Sequence, residues 1–260
     1  MRLAIVQTSP EFGKTDSNIQ AAIALMKSTK ADLYVLPELF NTGYNFAEIG
    51  EVESLAESLD GRTFQALHAF TQRHACFVAY GFAEKADHLY NSALLLGPSG
   101  LVGLYRKVHL FDRETLFFEP GNLGFPVFDL PFGRVGMMIC FDWIYPESAR
   151  SLAIRGAQLI IHPSNLVLPY CPDAMITRCL ENRVFAATAD RVGRETRGSV
   201  DLRFIGASEI VSPRGEILAR LGTSESGIVT VSVDLGEAEQ KKINKHNDLL
   251  AGRRPDQYER

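Results

Sequence analysis

The chain has 260 residues, 46% of them hydrophobic and 22% charged, with a net charge of -4 and a pI near 5.9. That composition is typical of a soluble globular protein, and the length suffices to bury a core without staples. The acidic balance and the absence of a polybasic run speak against nucleic acid or an anionic membrane as a partner.

In chain order, the apolar stretch Leu3 to Gln7 reads as a strand. It is too short for a signal-peptide core, and Pro10, Glu11 and Lys14 follow at once. No segment approaches the roughly 18 apolar residues of a membrane span, so a cytoplasmic protein is expected. Ile19, Ala22, Ile23 and Met26 carry the spacing of an amphipathic helix. Asp32 to Leu36 is a second strand, and Phe64, Leu67, Ala69 and Phe70 mark another helix. Three strands then follow in quick succession, Cys76 to Ala83, Leu89 to Leu96 and Leu101 to Tyr105. The last two are joined by the turn signal Gly97-Pro98-Ser99-Gly100.

Val135 to Ile139 is a further strand, and Pro146 to Arg155 a helix with proline in its first turn. A strand at Leu159 to Ile161 precedes a helix over Asp173 to Arg183. Strands at Val184 to Ala189, Ala207 to Val211, Glu216 to Ala219 and Ile228 to Val233 close the pattern. Asp234 is a cap for a last helix from Leu235. Strand-helix units mixed with hairpins fit a layered α/β or α+β fold, and without a linker or repeat one domain over 1–260 is expected.

Three short segments carry chemistry. Pro37-Glu38-Leu39-Phe40, Tyr105-Arg106-Lys107-Val108-His109 and Gly136-Met137-Met138-Ile139-Cys140-Phe141-Asp142-Trp143 each place a reactive side chain at or just after a short apolar run. A carboxylate, an ammonium and a thiol at strand ends supply a base, an electrophilic donor and a nucleophile. Singly, each has a bland reading: a loop acid, a surface lysine, a buried cysteine. Cys140 precedes a turn and a helix, the strand-turn-helix setting that exposes a nucleophile at the top of a sheet. Arg106 alternates to the face opposite its neighbour. Cys76 and Cys179 read as buried hydrophobes, whereas Cys171 stands before Pro172 in a loop, a position that leaves its exposure open. The histidines show no metal-ligand spacing, and no Cys-x-x-Cys occurs, so neither a metal nor another cofactor is expected.

In this order and context the three segments resemble the nitrilase superfamily of carbon-nitrogen hydrolases. The likeness continues through Cys140 to Arg150, His162-Pro163-Ser164-Asn165-Leu166, Glu181-Asn182-Arg183 and Asp190-Arg191-Val192-Gly193, and so covers essentially the whole chain. It implies a four-layer αββα sandwich whose subunits pair. It also implies a Glu38, Lys107, Cys140 triad, with Glu114 as a second glutamate beside it. Asp112 and Glu119 compete with Glu114, but the run Phe117-Phe118-Glu119-Pro120-Gly121 favours Glu114. Phe141, Tyr44, Trp143 and Asn165 are the candidate substrate-binding residues, within a wider aromatic set of Phe40, Phe111, Phe118 and Tyr170. Arg113, Arg178 and Arg191 are the arginines left for a substrate carboxylate.

The implied partner is a small-molecule nitrile or amide, hydrolysed to a carboxylic acid and ammonia. An N-carbamoyl amine or ω-amide suits the same triad. From a different class, the chain could be an inactive dimeric scaffold; a hyper-reactive cysteine separates the two. A dinucleotide-binding module has little support, since Gln7-Thr8-Ser9-Pro10 stands where a glycine-rich turn would follow the first strand. A homodimer, or a higher homo-oligomer built as a dimer of dimers, is expected through the helix Pro146 to Arg155 and the region Asp173 to Arg183. The argument is that Ala149, Leu152, Ala153 and Ile154 exceed the apolar surface one helix face needs.

Overall fold

The computed structural model describes residues 1–258. Its first sheet has six strands: β1 (Arg2–Gln7), β2 (Leu33–Val35), β3 (Phe77–Lys85), β4 (Leu89–Gly97), β5 (Gly100–Arg106) and β14 (Gly227–Ser232), in the order β14-β1-β2-β3-β4-β5. The second has β6 (Val127–Leu130), β7 (Gly133–Met137), β8 (Leu159–Pro163), β9 (Phe185–Ala189), β12 (Glu209–Val211) and β13 (Ile217–Arg220), in the order β13-β12-β9-β8-β7-β6. In each sheet three central strands run parallel, β1-β2-β3 and β7-β8-β9, and the flanking pairs are antiparallel.

The side chains of one strand show why there are four layers. Leu3 and Ile5 of β1 point into a core shared with Val135, Met137, Leu159 and Ile161 of the second sheet. Ala4 and Val6 point the other way, into a core shared with Ile19, Ala22 and Met26. Those three lie on α1 (Thr15–Lys27), which covers the outer face together with α3 (Arg62–His74). A strand buried on both faces reads as a continuous apolar run, which is how β1, β2 and β3 appear in the sequence. Helices α4 (Pro146–Ile154) and α5 (Cys171–Asn182) cover the far side of the second sheet. The result is an αββα sandwich.

Several details differ from expectation. Cys171 is not in a loop; it starts α5 and is fully buried. Ala149, Leu152 and Ala153 are buried against their own sheet, where Leu152 packs over Gly136. The surplus apolar face argued for α4 is therefore used within the chain, and only Ile154 of the four is exposed. Besides the short strand β6, which went unpredicted, two further elements escaped the sequence reading. One is α2 (Ile49–Leu55), with Val52 its only buried residue. The other is the separate hairpin of β10 (Val192–Arg197) and β11 (Val200–Ile205). The run Gly193-Arg194-Glu195-Thr196-Arg197 has no apolar alternation to mark a strand. The expected cap at Asp234 is present, accepting from the Gly236 N–H, but it opens a single 3-10 turn, Leu235–Glu239.

Candidate active site

Glu38 follows β2 in a tight turn. Leu36 donates to the Ala79 carbonyl and Gly81 to the Pro37 carbonyl, at 2.8 and 3.1 Å, so the turn is stitched to β3. A side chain at position 81 would meet the Glu38 Cα at 2.5 Å; glycine is what lets the two backbones approach. The carboxyl of Glu38 is fully buried. Its Oε1 accepts from Asn91 Nδ2 at 2.6 Å and from Lys107 Nζ at 2.7 Å. Its Oε2 is buried and makes no hydrogen bond within the protein.

Lys107 follows β5 directly. Its N–H donates to the Asn91 carbonyl and its carbonyl accepts from Gly121, each at 2.8 Å. Strand alternation sends Arg106 the opposite way, to Glu84 at 2.6 Å and over the Tyr90 ring at 3.9 Å. The Lys107 ammonium is shared between Glu38 and Glu114 Oε1, both at 2.7 Å. Glu114 lies in the 3-10 turn Asp112–Leu116, and the same Oε1 accepts the Tyr44 hydroxyl at 2.6 Å. Its Oε2 accepts the Phe111 N–H at 3.2 Å. Of the three competing acids, Glu114 alone is buried; Asp112 and Glu119 face solvent.

Cys140 stands where β7 gives way to the 3-10 turn Cys140–Ile144, immediately before α4. Its φ of 42° is in the left-handed region, which a non-glycine residue occupies only when its surroundings enforce it. The enforcement is visible. Asp142 Oδ2 accepts from the Ile139 N–H at 2.8 Å and from the Tyr105 hydroxyl at 2.6 Å. Asp142 Oδ1 accepts from the His109 N–H at 3.1 Å and lies 2.7 Å from His109 Nδ1. On the other side His162 Nε2 donates to the Cys140 carbonyl at 2.9 Å. Burial lowers the His162 pKa to about 4, so this imidazole is neutral.

The thiol itself donates to the Asn165 carbonyl at 3.7 Å, while Asn165 Nδ2 donates to the Glu38 carbonyl at 2.9 Å. Asn165 thus brackets the thiol-bearing turn and the carboxylate-bearing turn. Phe141, Trp143 and Asn165 line a narrow cleft with Cys140. Tyr44 and Glu114 line a neighbouring one, and Phe111 borders both. The wider aromatic set divides. Phe40 is core, packed on Tyr80; Phe118 is buried against Phe46; Tyr170 is exposed. Arg178 donates to the Trp143 carbonyl, and Arg191 is buried against Glu195, so neither is free to hold a substrate.

The electrostatics follow from burial. Desolvation pushes the Glu38 carboxyl up to about 7, against the pull of Lys107. Burial pulls the Lys107 pKa down, but Glu114 and Glu38 outweigh it and hold the ammonium more firmly than usual. Burial, and then the charge of Glu38, push the Cys140 thiol well above its ordinary value. Such a thiol keeps its proton until a base takes it, and a carboxylate poised near neutrality suits that task. Sequence reasoning missed Asn91 and quoted Asp142 and His162 only within family-like segments, without the contacts they make. The available signal was a polar residue inside or beside a buried apolar strand, since such groups are retained with a hydrogen-bond partner.

The family model described as carbon-nitrogen hydrolase matches residues 2–243. A nitrilase of Pyrococcus abyssi is 48% identical over 99% of both chains. The omega-amidase NIT2 of Homo sapiens is 31% identical over 99% of this chain and 96% of its own. The crystal structure of an amidase from Nesterenkonia sp. superposes with a TM-score of 0.78 over 93% of each chain, at 24% identity. The chain belongs to the carbon-nitrogen hydrolase family, within the nitrilase superfamily.

Proposed function

We propose that Cys140 is the nucleophile, Glu38 its general base and Lys107 the stabiliser of developing charge, in the hydrolysis of a small nitrile or amide. The observation that carries this reading is the buried Lys107 ammonium, held by Glu38 and Glu114 within the field of the Cys140 thiol. Glu38 takes the thiol proton as sulfur bonds to the electrophilic carbon. Charge develops on the substrate oxygen of an amide, or nitrogen of a nitrile, and Lys107 with the Phe141 N–H stabilises it. For an amide, Glu38 returns the proton to the departing nitrogen and the thioester forms. For a nitrile the proton goes to the thioimidate nitrogen, and a first water, deprotonated by Glu38, adds to that carbon before ammonia departs to leave the same thioester. Glu38 then takes a proton from water, which attacks the thioester and frees a carboxylic acid. Phe111, Phe141 and Trp143 at the thiol cavity suit a small uncharged acyl group.

A second reading rests on Arg113. It borders the Tyr44 cavity, and its buried Nε makes no hydrogen bond within the protein. A carboxylate-bearing ω-amide would suit it, in keeping with the human relative. Ammonia release from small nitriles, uncharged amides, ω-amides and N-carbamoyl amines, followed from about pH 5 to about pH 9, tests both. Uncharged substrates should turn over fastest, and kcat/KM should rise through about 7 as Glu38 loses its proton. A preference for ω-amides would favour the second reading, and a rate independent of pH across that range would remove Glu38 as the base.

A homodimer through α4 and α5 is proposed on narrower grounds than the sequence suggested. Ile144, Tyr145, Ile154 and Leu180, on these helices or just before α4, are exposed apolar side chains. Sedimentation at micromolar concentration should give twice the 28.8 kDa chain mass; a monomer with full activity would refute it.

A further inference from the structure

Arg191 is the largest side chain with no exposure to speak of, 1%, and it lies on no catalytic or substrate contact. Its guanidinium pairs with Glu195, donates to the Pro10 carbonyl at 3.0 Å and lies over the Phe204 ring at 4.0 Å. Glu195, on β10, is also buried, and it turns its carboxylate to a loop of distant sequence. Oε2 accepts the Asn45 N–H at 2.7 Å and the Tyr44 N–H at 3.1 Å. Gly43, with φ of 83°, makes room for this carboxylate; a side chain there would come within 2.9 Å of Glu195 Oε1. Phe204 in turn meets the Tyr44 ring edge-on at 5.9 Å. The backbone and the ring of Tyr44 are thus both gripped from the β10–β11 hairpin. The Tyr44 hydroxyl then ends on Glu114 Oε1, the oxygen that receives Lys107.

A buried ion pair is a costly way to hold a loop, since desolvating two charges offsets much of their attraction. Its benefit here is direction. Resting on the roles given above to Lys107 and Cys140, we infer that Arg191 and Glu195 are positioning residues for the Lys107 ammonium, acting through the Tyr44 hydroxyl and Glu114. A misplacement of about 1 Å, even when caused far from the chemistry, lowers turnover by up to about two orders of magnitude. The hairpin has other attachments, Asn45 Nδ2 to the Glu195 and Val200 carbonyls and Arg197 to Glu51. Changing the Glu195 carboxylate therefore leaves β10–β11 anchored.

The experiment is a double-mutant cycle between Glu195→Gln and Tyr44→Phe, read in kcat, KM and Tm. Each single change should lower kcat by on the order of tenfold with KM little altered, the mark of an interaction realised in the transition state. The pair together should cost no more than Tyr44→Phe alone, because both act through one hydroxyl. Glu195→Gln leaves a buried guanidinium unpaired and should also lower Tm. Combining it with Arg191→Met removes that charge and should restore Tm but not kcat. Multiplicative losses in kcat, or recovery of kcat along with Tm, would overturn the inference and leave a purely structural ion pair. Lys107→Met in the same assay separates the two levels: wild-type turnover there would sink the site assignment itself, whereas an inactive Lys107→Met with a multiplicative cycle sinks only the positioning role.

Discussion

Cys140→Ala should abolish hydrolysis while leaving the fold in place. Turnover is expected to fall by about 10³-fold or more, the scale on which removal of a nucleophile acts in other hydrolases. Little structural damage should accompany it. The side chain is 5% exposed and its one hydrogen bond, to the Asn165 carbonyl, is long and weak. The turn around it is held by Asp142 and His162, both of which remain. No other thiol is placed to substitute. Cys171, the one cysteine whose sequence position left exposure open, is buried at the start of α5, as Cys76 and Cys179 are buried elsewhere. Ammonia release and a thermal melt on the purified variant check both halves. Appreciable turnover with an unchanged melt would move the nucleophile away from position 140.

Lys107→Met should be nearly as damaging to activity and far more damaging to the fold. Without the ammonium, the developing negative charge loses its main donor, a loss of about 10²- to 10³-fold. The same change leaves Glu38 and Glu114 facing each other across a buried space, and breaking a buried pair costs about 3–5 kcal/mol. The sign of the pH dependence follows from Glu38. Its folded-state pKa already exceeds the unfolded value, so its contribution to stability is complete below about 4.5 and is lost as pH rises through about 7. Removing Lys107 takes away the one cation that holds that pKa down, so the loss should continue to higher pH. Thermal unfolding should therefore separate the variant from the wild type by little in mild acid and by most above neutrality. Equal separation at both would show that Lys107 does not set the ionisation of this cluster.

Both expectations depend on partners remote in the chain. Lys107 and Glu38 are 69 residues apart, Asn91 and Glu38 are 53, and Glu195 and the Tyr44 N–H are 151. The reactive residues nevertheless stood out in the sequence, because each follows an apolar run that could be recognised locally. Their partners did not. Asn91 lies within a strand that reads as apolar, and nothing near it in sequence says that its amide meets a carboxylate. The choice of Glu114 over Asp112 and Glu119 rested on the neighbouring Phe117-Phe118-Glu119-Pro120-Gly121 run and was matched by burial. The surplus apolar face assigned to α4 failed for the complementary reason: periodicity shows that a face is apolar but not whether it is a sheet of the same chain or another subunit that covers it.

While the family came from the resemblance of whole segments, the sequence by itself determined the layered α/β class and which carboxylate, ammonium and thiol stand at strand ends. Those features are local, since side-chain direction repeats every two residues in a strand and every three or four in a helix. Only the tertiary structure decided that Glu38 titrates near neutrality, that Cys171 is inert by burial, and that Arg191 and Glu195 reach Tyr44 from a separate hairpin. Desolvation and the choice of partner are properties of the assembled interior. They depend on which distant segments pack together and exclude water, and no window of neighbouring residues contains that information.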